Sequence, residues 1–127
     1  MRILLADDQT HIRSSLQMLL RQERGMTVVG QVSEAIDLVI QIGLTQPDLI
    51  LLDWELPGLP KIGSMPGLHN IYPNLLVIVL SGRPEVRRKA LAAGADAFVS
   101  KADPPEQLLA VLQSMNSRSR GPETKNF

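Results

Sequence analysis

Asp48-Leu49-Ile50-Leu51-Leu52-Asp53-Trp54-Glu55-Leu56-Pro57-Gly58 is the stretch on which the fold turns. Its centre, Leu49 to Leu52, is an unbroken apolar run with no polar residue alternating through it, so neither side of the strand it forms looks into water. A strand covered on both sides belongs to a parallel sheet held between helices. Working outward, Ile3-Leu4-Leu5-Ala6 and Leu75-Leu76-Val77-Ile78-Val79-Leu80 have the same continuous character, and the β-prone runs Met26 to Val32 and Ala97-Phe98-Val99 complete a set of five strands.

Helical spacing fills the intervals. Ile12, Leu16, Leu19 and Leu20 recur with Arg13, Gln17 and Arg21 between them, and Gly25 closes the segment. Ala35, Ile36, Val39 and Ile40 predict the apolar stripe of a second helix that stops before Gly43 and Pro47. Val86, Ala90 and Ala93, beside Arg87, Arg88 and Lys89 and between Pro84 and Gly94, predict another. Leu108, Val111, Leu112 and Met115 define the last, opened by Pro104-Pro105-Glu106 with Asp103 as its N-cap. Between the third and fourth strands, Pro57, Gly58, Pro60, Gly63, Pro66 and Gly67 leave room only for a short or irregular helix, placed at Gly67 to Tyr72. From Asn116 the chain turns to Ser, Arg, Gly, Pro and Lys, so the expected division is one domain over 1–116 and a flexible tail or linker over 117–127.

Composition removes several classes of function. A chain of 127 residues with 44% hydrophobic content fits one α/β domain with a real core. Thirteen Lys and Arg balance thirteen Asp and Glu, so no general attraction to nucleic acid or anionic lipid arises. Without Cys there is no disulfide frame, thiolate metal site or thiol nucleophile. Trp54, Tyr72, Phe98 and Phe127 are too few to build a base-stacking platform. The apolar runs are too short for a signal-peptide core or a membrane span, which makes a cytoplasmic protein without a membrane partner the expectation. No helix-turn-helix fits after Met115, so direct nucleic-acid binding by this chain is not expected either.

The polar residues fall in one place. Asp7 and Asp8 follow the first strand, Asp53 the third, Ser81 the fourth, and Lys101 lies just past the fifth. In a parallel sheet these are all carboxyl ends, where ligands gather. If the first, third and fourth strands are neighbours, a spacing of about 4.8 Å brings three carboxylates and a hydroxyl into one pocket with the lysine at its rim. Carboxylates that close either raise a pKa or take a divalent cation, and an all-oxygen set suits Mg²⁺ with retained waters. Singly, Asp7 and Asp8 could cap a helix, Ser81-Gly82-Arg83-Pro84 could be a plain turn, and Lys101 a surface lysine. Their joint placement at strand ends favours a site.

The ordered set Ala6-Asp7-Asp8, Leu51-Leu52-Asp53-Trp54-Glu55-Leu56-Pro57-Gly58, Val79-Leu80-Ser81-Gly82, Gly94-Ala95-Asp96-Ala97-Phe98 and Lys101 resembles the receiver domain of two-component response regulators, of the type that often precedes a helix-turn-helix output domain. The resemblance implies a doubly wound five-stranded parallel sheet in the flavodoxin-like order 2-1-3-4-5, with helices on both faces. It implies that Asp53 accepts a phosphoryl group from a histidine kinase or phosphotransfer protein. Mg²⁺ would be held by Asp7, Asp8, Asp53 and the backbone carbonyl of Glu55. Lys101 would contact phosphoryl oxygen, and Ser81 and Phe98 would be the switch pair that alters a face made of the fourth helix, fifth strand and fifth helix. Such a switch controls an output, transcription in many relatives, and a homodimer is common. Two positions depart from the pattern: Pro60-Lys61 stands where a Gly-containing turn is frequent, and Ala102 follows Lys101 where Pro is usual. Glu55 and Arg83 flank the acceptor, and an ion pair between them is expected.

Two other readings use the same residues. A phosphatase of the haloacid-dehalogenase type also forms an aspartyl phosphate and has a second acid two residues on, as in Asp53-Trp54-Glu55, but there the nucleophile follows the first strand. A receiver-like interaction module that is never phosphorylated is the main alternative.

Overall fold

The computed structural model describes residues 1–59 and 65–124. Five strands, β1 (Arg2–Ala6), β2 (Thr27–Val32), β3 (Leu49–Asp53), β4 (Leu76–Ser81) and β5 (Ala97–Ser100), form one sheet in the order β2-β1-β3-β4-β5. Every pairing is parallel, as the flavodoxin-like expectation requires. The helices are α1 (Thr10–Arg21), α2 (Ala35–Thr45), α3 (Met65–Ile71), α4 (Arg87–Ala92) and α5 (Pro105–Thr124), and a 3-10 turn, Pro84–Val86, leads into α4. Among the described residues no helix is long and apolar enough to cross a membrane.

The unbroken apolar runs are explained by two buried layers. Leu4 and Ala6 of β1, Ile50 and Leu52 of β3, and Val77 and Val79 of β4 face one layer, closed by Ala35, Leu38 and Ile42 of α2 and Ala90 of α4. Ile3, Leu5, Leu49, Leu51, Ile78 and Leu80 face the other, closed by Leu16 and Leu20 of α1 and Leu108 and Leu112 of α5. Each such fully buried aliphatic contributes about 1.5–3 kcal/mol relative to exposure. From β1 the chain winds outward to β2 and then back across to β3, so the crossovers diverge at the β1–β3 boundary and open a crevice at the carboxyl ends.

The opposite, amino edge is clamped by two acids. Asp48 Oδ2 accepts the Arg2 N–H at 2.7 Å, and Asp96 Oδ2 accepts the Val77 N–H at 2.8 Å. Near the carboxyl edge, the Pro57 carbonyl accepts the Ala35 N–H at 2.9 Å, tying the loop after β3 to the start of α2. Gly58 there has φ +81°, a left-handed conformation that any Cβ would strain, which accounts for Pro57-Gly58 in sequence.

Three expectations need correction. Helix α2 runs through Gly43 to Thr45 and ends at Gln46, whose φ is +47°; a glycine inside a helix costs only about 1 kcal/mol, and the true stop is Pro47. The buried face of α2 is Ala35, Leu38 and Ile42, while Ile36, Val39 and Ile40 are 65%, 47% and 53% exposed. The helix is aliphatic almost all round, so more than one face satisfies the spacing. Asp103 does not cap α5: the helix starts at Pro105, and Asp103 Oδ2 instead accepts the Ser100 N–H at 3.2 Å, closing the turn after β5. Helix α5 itself spans Pro105–Thr124. Helix α3 is short, as expected, but begins at Met65 and ends at Ile71. The loop path through Pro60-Lys61 and the end of the tail, 125–127, lie outside the described residues.

Candidate functional site

Among the described residues the buried polar side chains are Asp7, Asp53 and Ser81, and all three stand at the carboxyl edge beside the crevice. Asp53 and Ser81 are the last residues of β3 and β4. Asp7 follows β1, its N–H bonded to the Val32 carbonyl at 3.0 Å, and Lys101 follows β5, its N–H bonded to the Ser81 carbonyl at 2.8 Å. The ladders that build the sheet thus set the side chains' positions. Asp8 is exposed at the mouth.

The charges converge on Lys101. Its Nζ lies 2.8 Å from Asp7 Oδ2 and 3.5 Å from Asp53 Oδ2, and it donates to Gln9 Oε1 at 3.0 Å. The Lys101–Ala102 bond is trans, since no cis peptide occurs among the described residues, so the lysine reaches the acids without a proline behind it. The second oxygens are held by backbone: Asp7 Oδ1 accepts the Gln9 N–H at 2.9 Å and Asp53 Oδ1 accepts the Glu55 N–H at 3.0 Å. The Asp53 carboxyl rises from its ordinary 3.8 to about 6: burial is the largest cause, the Glu55 N–H and the Lys101 charge oppose it, and Asp7 and the Glu55 carboxyl add to it. Burial also disfavours the Lys101 ammonium, but Asp7 and Asp53 outweigh that and hold its pKa above 10.5.

Asp7, Asp8 and Asp53 can each present an oxygen within 4.8 Å of the others. Asp7 Oδ2 is buried with no hydrogen-bond partner: the lysine meets it at ion-pair distance without the geometry of a hydrogen bond. A raised acceptor pKa, a buried carboxylate oxygen met only by the lysine's charge, and hard oxygen donors together fit a divalent cation such as Mg²⁺.

Above the acceptor sits a second group. The expected pair forms, with Arg83 Nε donating to Glu55 Oε1 at 2.9 Å. The same Glu55 oxygen accepts the Ser81 hydroxyl at 3.0 Å, while Ser81 Oγ accepts the Arg83 N–H at 3.1 Å. Burial opposes the Glu55 charge, yet the hydrogen bonds from Arg83 and Ser81 outweigh it and lower its pKa. Phe98 is buried in the same layer as Val79, Val86 and Ala90. Sequence reasoning missed Gln9, whose uncharged side chain carries no signal of a charge cluster, and Arg13, whose guanidinium donates to the Asp7 carbonyl from what reads as the solvent face of α1.

Residues 3–113 match the family model of the response regulator receiver domain, and the chain belongs to that family. The transcriptional regulatory protein DesR of Bacillus subtilis is 28% identical over 118 residues, which are 93% of this chain and 59% of DesR. A protein-glutamate methylesterase/protein-glutamine glutaminase of Nitrobacter hamburgensis is 30% identical over 114 residues, 87% of this chain and 30% of that protein. Among solved structures, RcsB from Salmonella enterica serovar Typhimurium, bound to promoter rprA in the presence of phosphomimetic BeF3⁻, superposes with a TM-score of 0.82 at 22% identity, covering 99% of this chain and 66% of that one. At that identity the likeness shows the fold. The chain spans little more than half of DesR and under a third of the methylesterase.

Proposed function

We propose that this chain is a phosphorylation-controlled signalling switch in which Asp53 accepts a phosphoryl group from a histidine kinase or a phosphotransfer protein. The observation that carries this reading is the Asp53 carboxylate itself, buried at a strand end with Oδ1 fixed by the Glu55 N–H and Oδ2 turned toward Lys101. An oxygen of Asp53 attacks phosphorus as the bond to the donor's imidazole nitrogen breaks, and the loose transition state asks mainly for positioning and charge neutralisation. Asp7, Asp8, Asp53 and the backbone carbonyl of Glu55 would hold Mg²⁺, which when bound supplies positive charge to the phosphoryl oxygens. Lys101, already between Asp7 and Asp53, supplies the other cation.

The phosphoryl group then competes for Ser81. In the unmodified chain that hydroxyl is committed to Glu55, so turning it to the phosphoryl group means breaking the Glu55 bond and unsettling the Arg83 end of the network. Phe98 shares its buried layer with Val86 and Ala90, the residues through which such a shift passes to α4, and the face of α4, β5 and α5 carries it outward. The switch unit is residues 1–116. It catalyses only its own phosphorylation and dephosphorylation, works in the cytoplasm, and acts on an output outside residues 1–116; the names of the transcriptional regulatory proteins DesR and YxjL support transcription as that output.

Intact mass after incubation with acetyl phosphate and Mg²⁺ tests the proposal. One phosphoryl group should be gained, with none in Asp53→Asn or in chelator. A folded wild-type chain that gains nothing while Mg²⁺ still perturbs Trp54 fluorescence would sink it in favour of the interaction module.

A further inference from the structure

Among the described residues, the solvent side of α2 is the least ordinary surface. Ile36, Val39, Ile40 and Leu44 are 65%, 47%, 53% and 73% exposed, and among the described residues no element covers them. Asp37 is the only charged residue in the helix. A surface helix normally presents charge outward, and one that is apolar all round is normally buried. Here the inward face, Ala35, Leu38 and Ile42, is already in the core, so a second apolar face remains without a partner.

We propose that this face is covered by α2 of a second copy of the chain, in an antiparallel two-fold contact centred on Ile40. Ile36, Ile40 and Leu44 stand four residues apart and form one ridge along the helix. The ridge is symmetric about Ile40: an antiparallel second helix sets Ile36 against Leu44 of the other copy and Ile40 against itself, the self-complementarity an isologous interface needs. Charge agrees, because Asp37 then falls opposite Gly43 of the other copy and never meets its own counterpart. Gly43 is exposed, and its lack of a side chain lets the second backbone come close. A charged partner would find one carboxylate to pair with on the whole helix. Ile71 at the end of α3 is 69% exposed and adds a further apolar side chain outside α2. Covering these side chains on both copies removes on the order of 1,000 Å² from water, the lower bound for a specific interface. A weak dimer follows, since an interface at that bound supplies little beyond the cost of association. It needs no phosphoryl group and does not depend on the role proposed for Asp53.

Sedimentation velocity of the unphosphorylated chain from about 10 µM to about 1 mM tests this, with variants checked for folding by circular dichroism. Average mass should rise with concentration toward the dimer for wild type. Ile40→Glu should weaken association at least about 10-fold, as should Ile36→Lys and Leu44→Glu separately, whereas the double variant Ile36→Lys/Leu44→Glu should recover it, each introduced cation meeting the introduced carboxylate of the other copy. A wild type that stays monomeric throughout leaves the face to a different partner and overturns the proposal, as does a dimer indifferent to Ile40→Glu. Failure of the folded double variant to recover overturns the antiparallel pairing.

Discussion

The carboxyl edge of the sheet and the outer side of α2 break the same rule in opposite senses. At the edge, carboxylates and a hydroxyl are buried; on α2, aliphatic side chains are left in water. Both arrangements cost stability in an isolated chain, the first through desolvated charge and the second through unrealised burial. The difference lies in what relieves each: a small cation or phosphoryl group can neutralise the edge, whereas only another extended apolar surface can satisfy α2. Departures of this kind mark where a protein expects company, and their chemistry states which kind.

The largest effect should come from comparing the two sides of α2. Ile42→Ala, on the buried side, should destabilise by about 2–5 kcal/mol in urea unfolding, while Ile40→Ala, half a turn away on the exposed side, should change stability by less than about 0.5 kcal/mol in dilute solution. Equal costs would mean that the outer face is covered within the chain itself.

The carboxyl edge gives the next effect, with a defined pH dependence in metal-free protein. The folded-state pKa of Asp53, about 6, lies above its ordinary 3.8, so the fold favours the protonated acid. Stability from this group is therefore full below about pH 4 and is lost as pH rises through about 6. Asp53→Asn mimics the neutral acid at every pH. It should match wild type near pH 4 and exceed it by about 1–3 kcal/mol at pH 7 in chelator, measured by denaturant unfolding at each pH. A gap that does not grow with pH would remove burial as the cause.

The smallest effect concerns the network over the acceptor. Glu55→Ala frees the Ser81 hydroxyl and removes a carboxyl that pushes the Asp53 pKa up. Phosphorylation by acetyl phosphate, followed by Trp54 fluorescence, should become about threefold faster, the scale of one partly exposed interaction. A slower reaction would show that Glu55 helps to position Ser81 rather than withholding it.

Most of the fold was legible because β1, β3 and β4 are apolar without alternation, a pattern only a doubly covered sheet accommodates, and strand ends then located the acids. Asp7, Asp53 and Lys101 meet as their positions in sequence imply, and so do Glu55 and Arg83. What escaped the sequence did so for physical reasons. In α2, Ile36, Val39 and Ile40 satisfy helical spacing as well as Leu38 and Ile42 do, and periodicity points inward only when the other side is polar, as it is in α1 with Arg13, Gln17 and Arg21. Asp103 reads in sequence as an N-cap, but α5 starts one residue too late for that and the carboxylate reaches back to Ser100, closing the turn after β5. Gln9 enters the site through a hydrogen bond to Lys101, and no pattern of charge or hydropathy announces a single amide.

Asp48 and Asp96 give the two ends of the sheet different mechanical duties. Each uses its carboxylate as a backbone acceptor, bracing the start of β1 or β4 at the margin farthest from Asp53. A lever delivers displacement only if its fulcrum holds. With the amino margin pinned, a push on the loops after β3 and β4 cannot be absorbed by strands sliding past one another, and must emerge as movement of the helices those loops carry.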